Sequence, residues 1–253
     1  MKKIIAGMLI VMLAFAASGC KTDSIDKKAT LQEITIGLMP DVDSMPFIIA
    51  QEKGYFKEEG VTVNIQQFKS AMDRDSALQS GNLDGAISDL LAVAFAKAGG
   101  FDVKVTSSTD GSYKLIAGAN ETAASVAALQ GKDVAVSKNT IIEYVTDQIL
   151  TANHMTDSDI NKVVIPQIPT RLEMLQNGKL AAATLPEPMA GIAIQNGCKP
   201  LSSSDQLAIN PGVILFTNKA IEGKKRKFKR CTGPTTKPWF ILIHKHAKII
   251  LTS

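Results

Sequence analysis

Gly81-Asn82-Leu83-Asp84-Gly85-Ala86-Ile87-Ser88-Asp89 is the stretch from which the fold reads outward. Gly81 stops the helix predicted over residues 73–79, Gly85-Ala86-Ile87 is a short apolar strand, and Asp89 opens a helix that runs to Lys97 and ends at Gly99-Gly100. The same alternation holds on either side. Upstream, Ile34-Thr35-Ile36-Gly37-Leu38-Met39 reads as a strand, residues 46–53 as a helix with Ser44 as N-cap, and Val61-Thr62-Val63-Asn64-Ile65 as an alternating strand. Downstream lies the strand Val103-Lys104-Val105. Strands alternating with helices predict an α/β lobe with a largely parallel sheet.

A second series follows an extended segment over residues 114–119. It comprises a short helix (126–130), a strand (133–136), an amphipathic helix (141–152), a strand (163–165), a helical piece (171–176), a strand (180–184) and a helix (188–195) with proline in its first turn. Val213-Ile214-Leu215-Phe216 is a strand placed to return toward the first lobe. Two lobes joined by two crossing segments place a cleft between them, a usual ligand location.

At the N-terminus Met1-Lys2-Lys3, an apolar run over residues 4–17 and Ala17-Ser18-Gly19-Cys20 compose a secretory signal, too short in its apolar core for a stable membrane span. Ala-Ser-Gly-Cys resembles the lipobox of bacterial lipoproteins. That resemblance implies lipidation of Cys20, a mature chain of 234 residues and a polar leash over residues 20–30. With Cys20 used in this way, Cys198 and Cys231 give no disulfide framework. The net charge of +4 misleads. Residues 223–253 carry nine Lys/Arg and no acid, whereas residues 1–222 carry 19 basic and 24 acidic side chains, a net −5. The body therefore offers no nucleic-acid surface. His154, His244 and His246 have no metal-site spacing, and there is neither a Gly-x-Ser-x-Gly elbow nor a Walker A motif.

Gly37-Leu38-Met39-Pro40, Pro46-x-x-x-Ala50, Gly54-Tyr55-Phe56-x-x-Glu59-Gly60-Val61, Ala77-Leu78-x-x-Gly81-x-Leu83-Asp84-Gly85-Ala86 and Leu185-Pro186-Glu187-Pro188 form a recognisable set over residues 34–220. The set resembles the substrate-binding lipoproteins of ABC importers for nitrate, sulfonates, taurine and thiamine pyrimidine precursors. The resemblance implies a periplasmic-binding-protein type II-like fold, α/β, with two lobes that close on a small polar or anionic solute. It also implies a monomer without cofactor or metal, partnered by a permease and an ATPase on other chains. A thiamine-pyrimidine synthase on the same fold, or a ligand-binding surface sensor, are the alternatives. The body lacks the reactive histidine or metal cluster that the enzyme would need.

Free N–H groups and the positive dipole end at helix N-termini favour anionic groups. The turns after strands therefore supply the candidate ligand-binding residues: Asp41, Asp43 and Ser44; Lys69, Ser70 and Asp73; Ser88 and Asp89; Ser108 and Asp110; Ser137, Asn139 and Thr140; and Glu187 between two prolines. Ser44, Asp73, Asp89 and Thr140 are equally placed to cap helices, and Lys69 and Arg74 to be solvated charges. Asp41 and Asp43 are awkward for an anion and point to a polar or zwitterionic ligand. The domain reading is signal peptide 1–19, leash 20–30, first lobe 31–118, second lobe 119–217, a return over 218–222 and an aberrant basic tail over 223–253. Read one base out of register from Lys229, the tail can encode Ala-Leu-Tyr-Arg-Ala-Tyr-Asn-Lys-Ala-Val, an amphipathic helix that resembles the family's, so a frameshift that truncates the first lobe is expected. The rival reading of the tail is a basic segment that touches anionic lipid. Without the missing helices, the apolar faces of residues 34–39 and 61–65 should stay partly open to water.

Overall fold

The computed structural model describes residues 33–224. The expected signal, the lipidated Cys20 with its leash, and the tail beyond Lys224 lie outside the described residues.

Ten strands form two five-stranded sheets of the same design. The first sheet has the order β2-β1-β3-β10-β4, built from β1 (Glu33–Leu38), β2 (Thr62–Gln67), β3 (Gly85–Asp89), β4 (Val103–Ser108) and β10 (Gly212–Thr217). The second has the order β7-β6-β8-β5-β9, built from β5 (Tyr113–Ala117), β6 (Asp133–Val136), β7 (Asn161–Val164), β8 (Ala182–Pro186) and β9 (Lys199–Ser203). Each sheet has parallel strands and one strand running antiparallel to both its neighbours, β10 in the first and β5 in the second.

Those two strands correct the drawn boundaries. Tyr113–Ala117, assigned to the first lobe, pairs in the second sheet, and Gly212–Thr217, assigned to the second, pairs in the first. The chain crosses earlier than local pattern suggested, at residues 109–112 outward and 204–211 on return. The two crossings are tied to each other: Ser112 Oγ donates to Asp205 Oδ2 at 2.6 Å, and Thr109 N donates to Gly212 O at 3.0 Å.

The helices are α1 (Met45–Glu52), α2 (Tyr55–Glu58), α3 (Ala71–Gln79), α4 (Leu90–Ala98), α5 (Ile141–Ala152), α6 (Ile168–Gln176), α7 (Met189–Gln195) and α8 (Asn218–Gly223). Helix α5 follows from sequence directly. Thr140 accepts from Ile142 N at 3.2 Å, and Ile141, Ile142, Val145, Ile149 and Leu150 recur at helical spacing and are buried against the second sheet. Ser44, expected to cap α1, makes no side-chain cap bond to it. The cap sits one turn earlier: Asp41 accepts from Ser44 N at 3.1 Å and starts a short 3-10 turn, Val42–Ser44, that runs into α1.

The lobes meet directly. Met39 and Phe68 of the first pack into the core beneath α6 and α7 of the second. Val42 N donates to Glu187 O at 2.8 Å, and Ile168 N donates to Lys69 O at 3.0 Å. The expected partial exposure is corrected for β1 and for Val61, and is met at Val63 and Ile65 of β2. Ile34, Ile36, Leu38 and Val61 are buried, and Val63 and Ile65 are half-buried, because Phe47, Phe56 and Ile221 cover them. Among the described residues, exposed apolar side chains include three on α4 and the edge strand β4: Leu90 is 50 %, Phe95 53 % and Val105 44 % exposed.

Candidate functional site

The strand-to-helix joints of both sheets face each other, the arrangement in which open α/β sheets hold ligands. A cavity of about 30 Å³ lies between them. The first lobe lines it with Met39, Asp41, Asp43, Arg74, Ser88 and Asp89, and the second with Tyr113, Ser137, Thr140, Ile168, Arg171 and Pro186. Six of the residues expected from sequence thus share one cavity: Asp41, Asp43, Ser88, Asp89, Ser137 and Thr140.

The others stand apart from its lining. Ser44 is fully buried but committed, donating from Oγ to Asp41 at 2.9 Å and accepting from Met39 N at 3.1 Å. Ser70 and Asp73 satisfy each other as the cap of α3, with Ser70 Oγ donating to Asp73 Oδ2 at 2.7 Å and accepting from Asp73 N at 3.1 Å. Lys69 meets the second lobe through its carbonyl while its side chain is exposed. Ser108, Asp110 and Asn139 are exposed. Asn139 takes a left-handed backbone (φ 59°) that lets its N–H reach Glu143 Oε2 at 2.7 Å. Glu187 is held by Lys114 and by Gly191 N at 2.9 Å, which fixes the joint after β8.

The acidic side of the cavity is strained electrostatically. Asp43 Oδ2 accepts from Tyr113 OH at 3.3 Å, and its Oδ1 has no hydrogen-bond partner among the described residues. Burial, then the neighbouring Asp41 charge, push its carboxyl up to about 7, against the hydroxyls of Thr109 and Tyr113. Gly111 in the crossing makes this burial possible, since a Cβ there would lie 2.4 Å from Asp43 Oδ2. Burial also raises Asp41, opposed by its Ser44 bonds and by Arg74. Asp89 is spent on capping α4, accepting from Ala92 N at 2.9 Å. Ser88 Oγ, buried, has no partner among the described residues.

Two arginines complete the site, and sequence reasoning missed both as ligand groups. Arg74, 3 % exposed, donates from Nη1 to Ile87 O at 3.0 Å and from Nε to Asp75 at 2.9 Å. Arg171, fully buried, donates from Nε to Thr184 O at 3.1 Å and from Nη1 to Ile165 O at 2.7 Å. Its Nη2 is buried without a partner, and it pairs with no carboxylate among the described residues. Burial alone pulls it down to about 10, so it stays charged. The signal was in the sequence. Each arginine is the fourth residue of the helix between the second and third parallel strands of its lobe.

No group of three or more His, Cys, Asp or Glu able to hold a metal occurs among the described residues.

The NMT1/THI5-like family model matches residues 41–203, well over half of the chain. No curated protein matches. Among solved structures, the chain is similar in fold to the periplasmic aliphatic sulphonate-binding protein SsuA of Escherichia coli (18 % identity, TM-score 0.64, covering 77 % of this chain and 68 % of that one). It is similar to the alkanesulfonate-binding protein SsuA of Xanthomonas axonopodis pv. citri bound to MOPS (16 %, 0.69, 79 % and 71 %). It is also similar to the periplasmic nitrate-binding protein NrtA of Synechocystis PCC 6803 (16 %, 0.66, 79 % and 59 %).

Proposed function

The chain belongs to the NMT1/THI5-like family, and from that premise we propose that it is the lipid-anchored, extracytoplasmic solute-binding subunit of an ABC importer. It captures a small polar or anionic solute between its two lobes and presents it to a permease driven by a separate ATPase. The observation that carries the reading is the polar cavity lined from both lobes at their strand-to-helix joints. A site split in this way couples capture to closure, because each lobe supplies only half the contacts. The fold neighbours named for sulfonate and nitrate binding support the solute class. The Ala17-Ser18-Gly19-Cys20 sequence supports an anchor at Cys20, and Cys20→Ser should abolish membrane partitioning.

The enzymatic alternative gains no support from the geometry. The cavity lining holds no histidine or cysteine, and its titratable groups are aspartates, a tyrosine and two arginines. The test is a thermal-shift screen of the protein with sulfonates, nitrate, pyrimidines and amino acids. A ligand at 100 times its Kd stabilises by about 2.7 kcal/mol. A class that raises the melting temperature names the solute, and a null result with every class sinks the reading.

A further inference from the structure

The two lobes present opposite charges to the cavity they share. On the first, Asp41 and Asp43 sit two residues apart in one joint, and the free oxygen of Asp43 is buried in a side chain only 7 % exposed. Arg74 on the same lobe has its charge paired with Asp75, 2.8 Å from Nη2, although that nitrogen makes no hydrogen bond among the described residues. On the second, Arg171 is the only charged residue of the lining, fully buried, with two of its nitrogens fixed by carbonyls and Nη2 left over. A buried ion without a counter-ion, and a buried carboxylate oxygen without a donor, are each costly unless something arrives to pair them. Aspartate oxygens take a donor and a positive charge, whereas a guanidinium nitrogen takes an acceptor and a negative one.

Resting on the solute-binding reading above, we propose that the solute is a small zwitterion, its cationic nitrogen held by Asp41 and Asp43 of the first lobe and its anionic group by Arg171 of the second, with Ser88 as a further polar contact. Nitrate and simple sulfonates satisfy only the Arg171 half and leave the aspartate pair facing an anion. A simple amine satisfies only the other half. A zwitterion also links the lobes as a clamp, since each end engages a different one. The cavity of about 30 Å³ is smaller than such a molecule, so its entry must part the contacts from Asp43 to Tyr113 and from Val42 to Glu187.

The test is isothermal titration calorimetry on the full chain with matched probes. The zwitterions are 2-aminoethanesulfonate and 3-aminopropanoate, the anions ethanesulfonate, propanoate and nitrate, and the cation propylammonium. At least one zwitterion should bind 30-fold or more tighter than its amine-free counterpart. Asp43→Asn, which keeps size and removes the charge, should weaken the zwitterion at least tenfold and leave the anions unchanged or improved. Circular dichroism melts confirm that both proteins are folded. If anions bind as tightly as zwitterions, or Asp43→Asn changes nothing, the zwitterion assignment is overturned while solute binding stands. If no solute of any class binds the folded chain, the assignment and the solute-binding reading fall together.

Discussion

Arg74 and Arg171 occupy the same place in the two halves of the molecule, and what surrounds them is different. Each is the fourth residue of its helix, α3 or α6, and each donates to the carbonyl of the middle residue of the next strand, Ile87 in β3 or Thr184 in β8. The repeated device staples a helix to its sheet through a charged hydrogen bond. In the first lobe the next residue is Asp75, which neutralises Arg74. In the second it is Leu172, and the charge of Arg171 is left to the cavity. Both guanidinium groups keep an Nη2 without a hydrogen bond among the described residues; the difference is that Arg74's lies 2.8 Å from the Asp75 carboxylate, whereas Arg171 has no carboxylate beside it.

The sharpest way to break this comparison is to remove the spare charge. Arg171→Gln should cost solute binding about 1.5–3 kcal/mol, the worth of a charge-assisted hydrogen bond, or roughly 10- to 150-fold in Kd. Titration calorimetry reads this directly. An unchanged Kd, with the fold intact, would make Arg171 merely a staple like its counterpart.

The matching change on the other side should move stability instead. Arg74→Met strands Asp75 in a half-buried setting. Breaking a fully buried pair costs about 3–5 kcal/mol, and Asp75 retains 29 % exposure, so a loss of about 2 kcal/mol is expected. Adding Asp75→Asn should recover roughly half of that, because the orphaned charge goes. Urea unfolding of the two variants checks it, and a double variant no better than the single would remove the pairing from the account.

How much of this was legible depended on range. Helix α5 was read to its boundaries because Thr140, the i, i+4 apolar set and the polar exit at Asn153 all act within a few residues. The return of β10 to the first sheet was read, but the boundary was drawn after it, and β5 was left with the first lobe, because membership of a sheet is decided by strands far away in sequence. Strand β9, Lys-Pro-Leu-Ser-Ser, was not seen at all: two of its five residues are exposed and its pattern is too polar to signal a strand. In the site, short polar turns marked the joints, so Asp41, Asp43, Ser88, Asp89, Ser137 and Thr140 were found together. The arginines were passed over because a cation in a helix reads as solvated. Their burial comes only from the strand packed over them.

The acidic side of the cavity should respond to pH near neutrality. The groups acting on Asp43 are Asp41, Asp110, Thr109 and Tyr113, with Arg74 acting on Asp41. The folded-state carboxyl of Asp43 titrates at about 7 against an ordinary 3.8. Folding therefore favours its protonated form, so this group's contribution to stability rises as pH falls from about 7 toward 4 and is lost above 7. Asp41, also raised, acts in the same sense. One proton gives a slope of at most about 1.4 kcal/mol per pH unit. A gain of about 1–2 kcal/mol between pH 7 and pH 5 is expected, and Asp43→Asn should flatten it. Wild-type and variant curves that run parallel would contradict the burial of Asp43.

The smallest expected effect lies where the halves differ in cover. Helix α5 of the second lobe buries six of its residues, whereas α4 of the first, Leu-Leu-Ala-Val-Ala-Phe-Ala-Lys-Ala, buries only Ala96. An apolar side chain contributes to stability by leaving water, and Leu90 and Phe95 have left about half of it. Their exposed halves contribute nothing in this arrangement, and exposed apolar side chains such as these and Val105 on β4 promote association where they are contiguous. Leu90→Gln should therefore change unfolding free energy by no more than about 0.5 kcal/mol, the usual range for a surface position. At the same time it should raise the concentration at which the protein stays monomeric by light scattering. A loss of 2 kcal/mol or more would mean that another part of the chain covers α4 in solution, and the contrast between an open α4 and a covered α5 would have to be withdrawn.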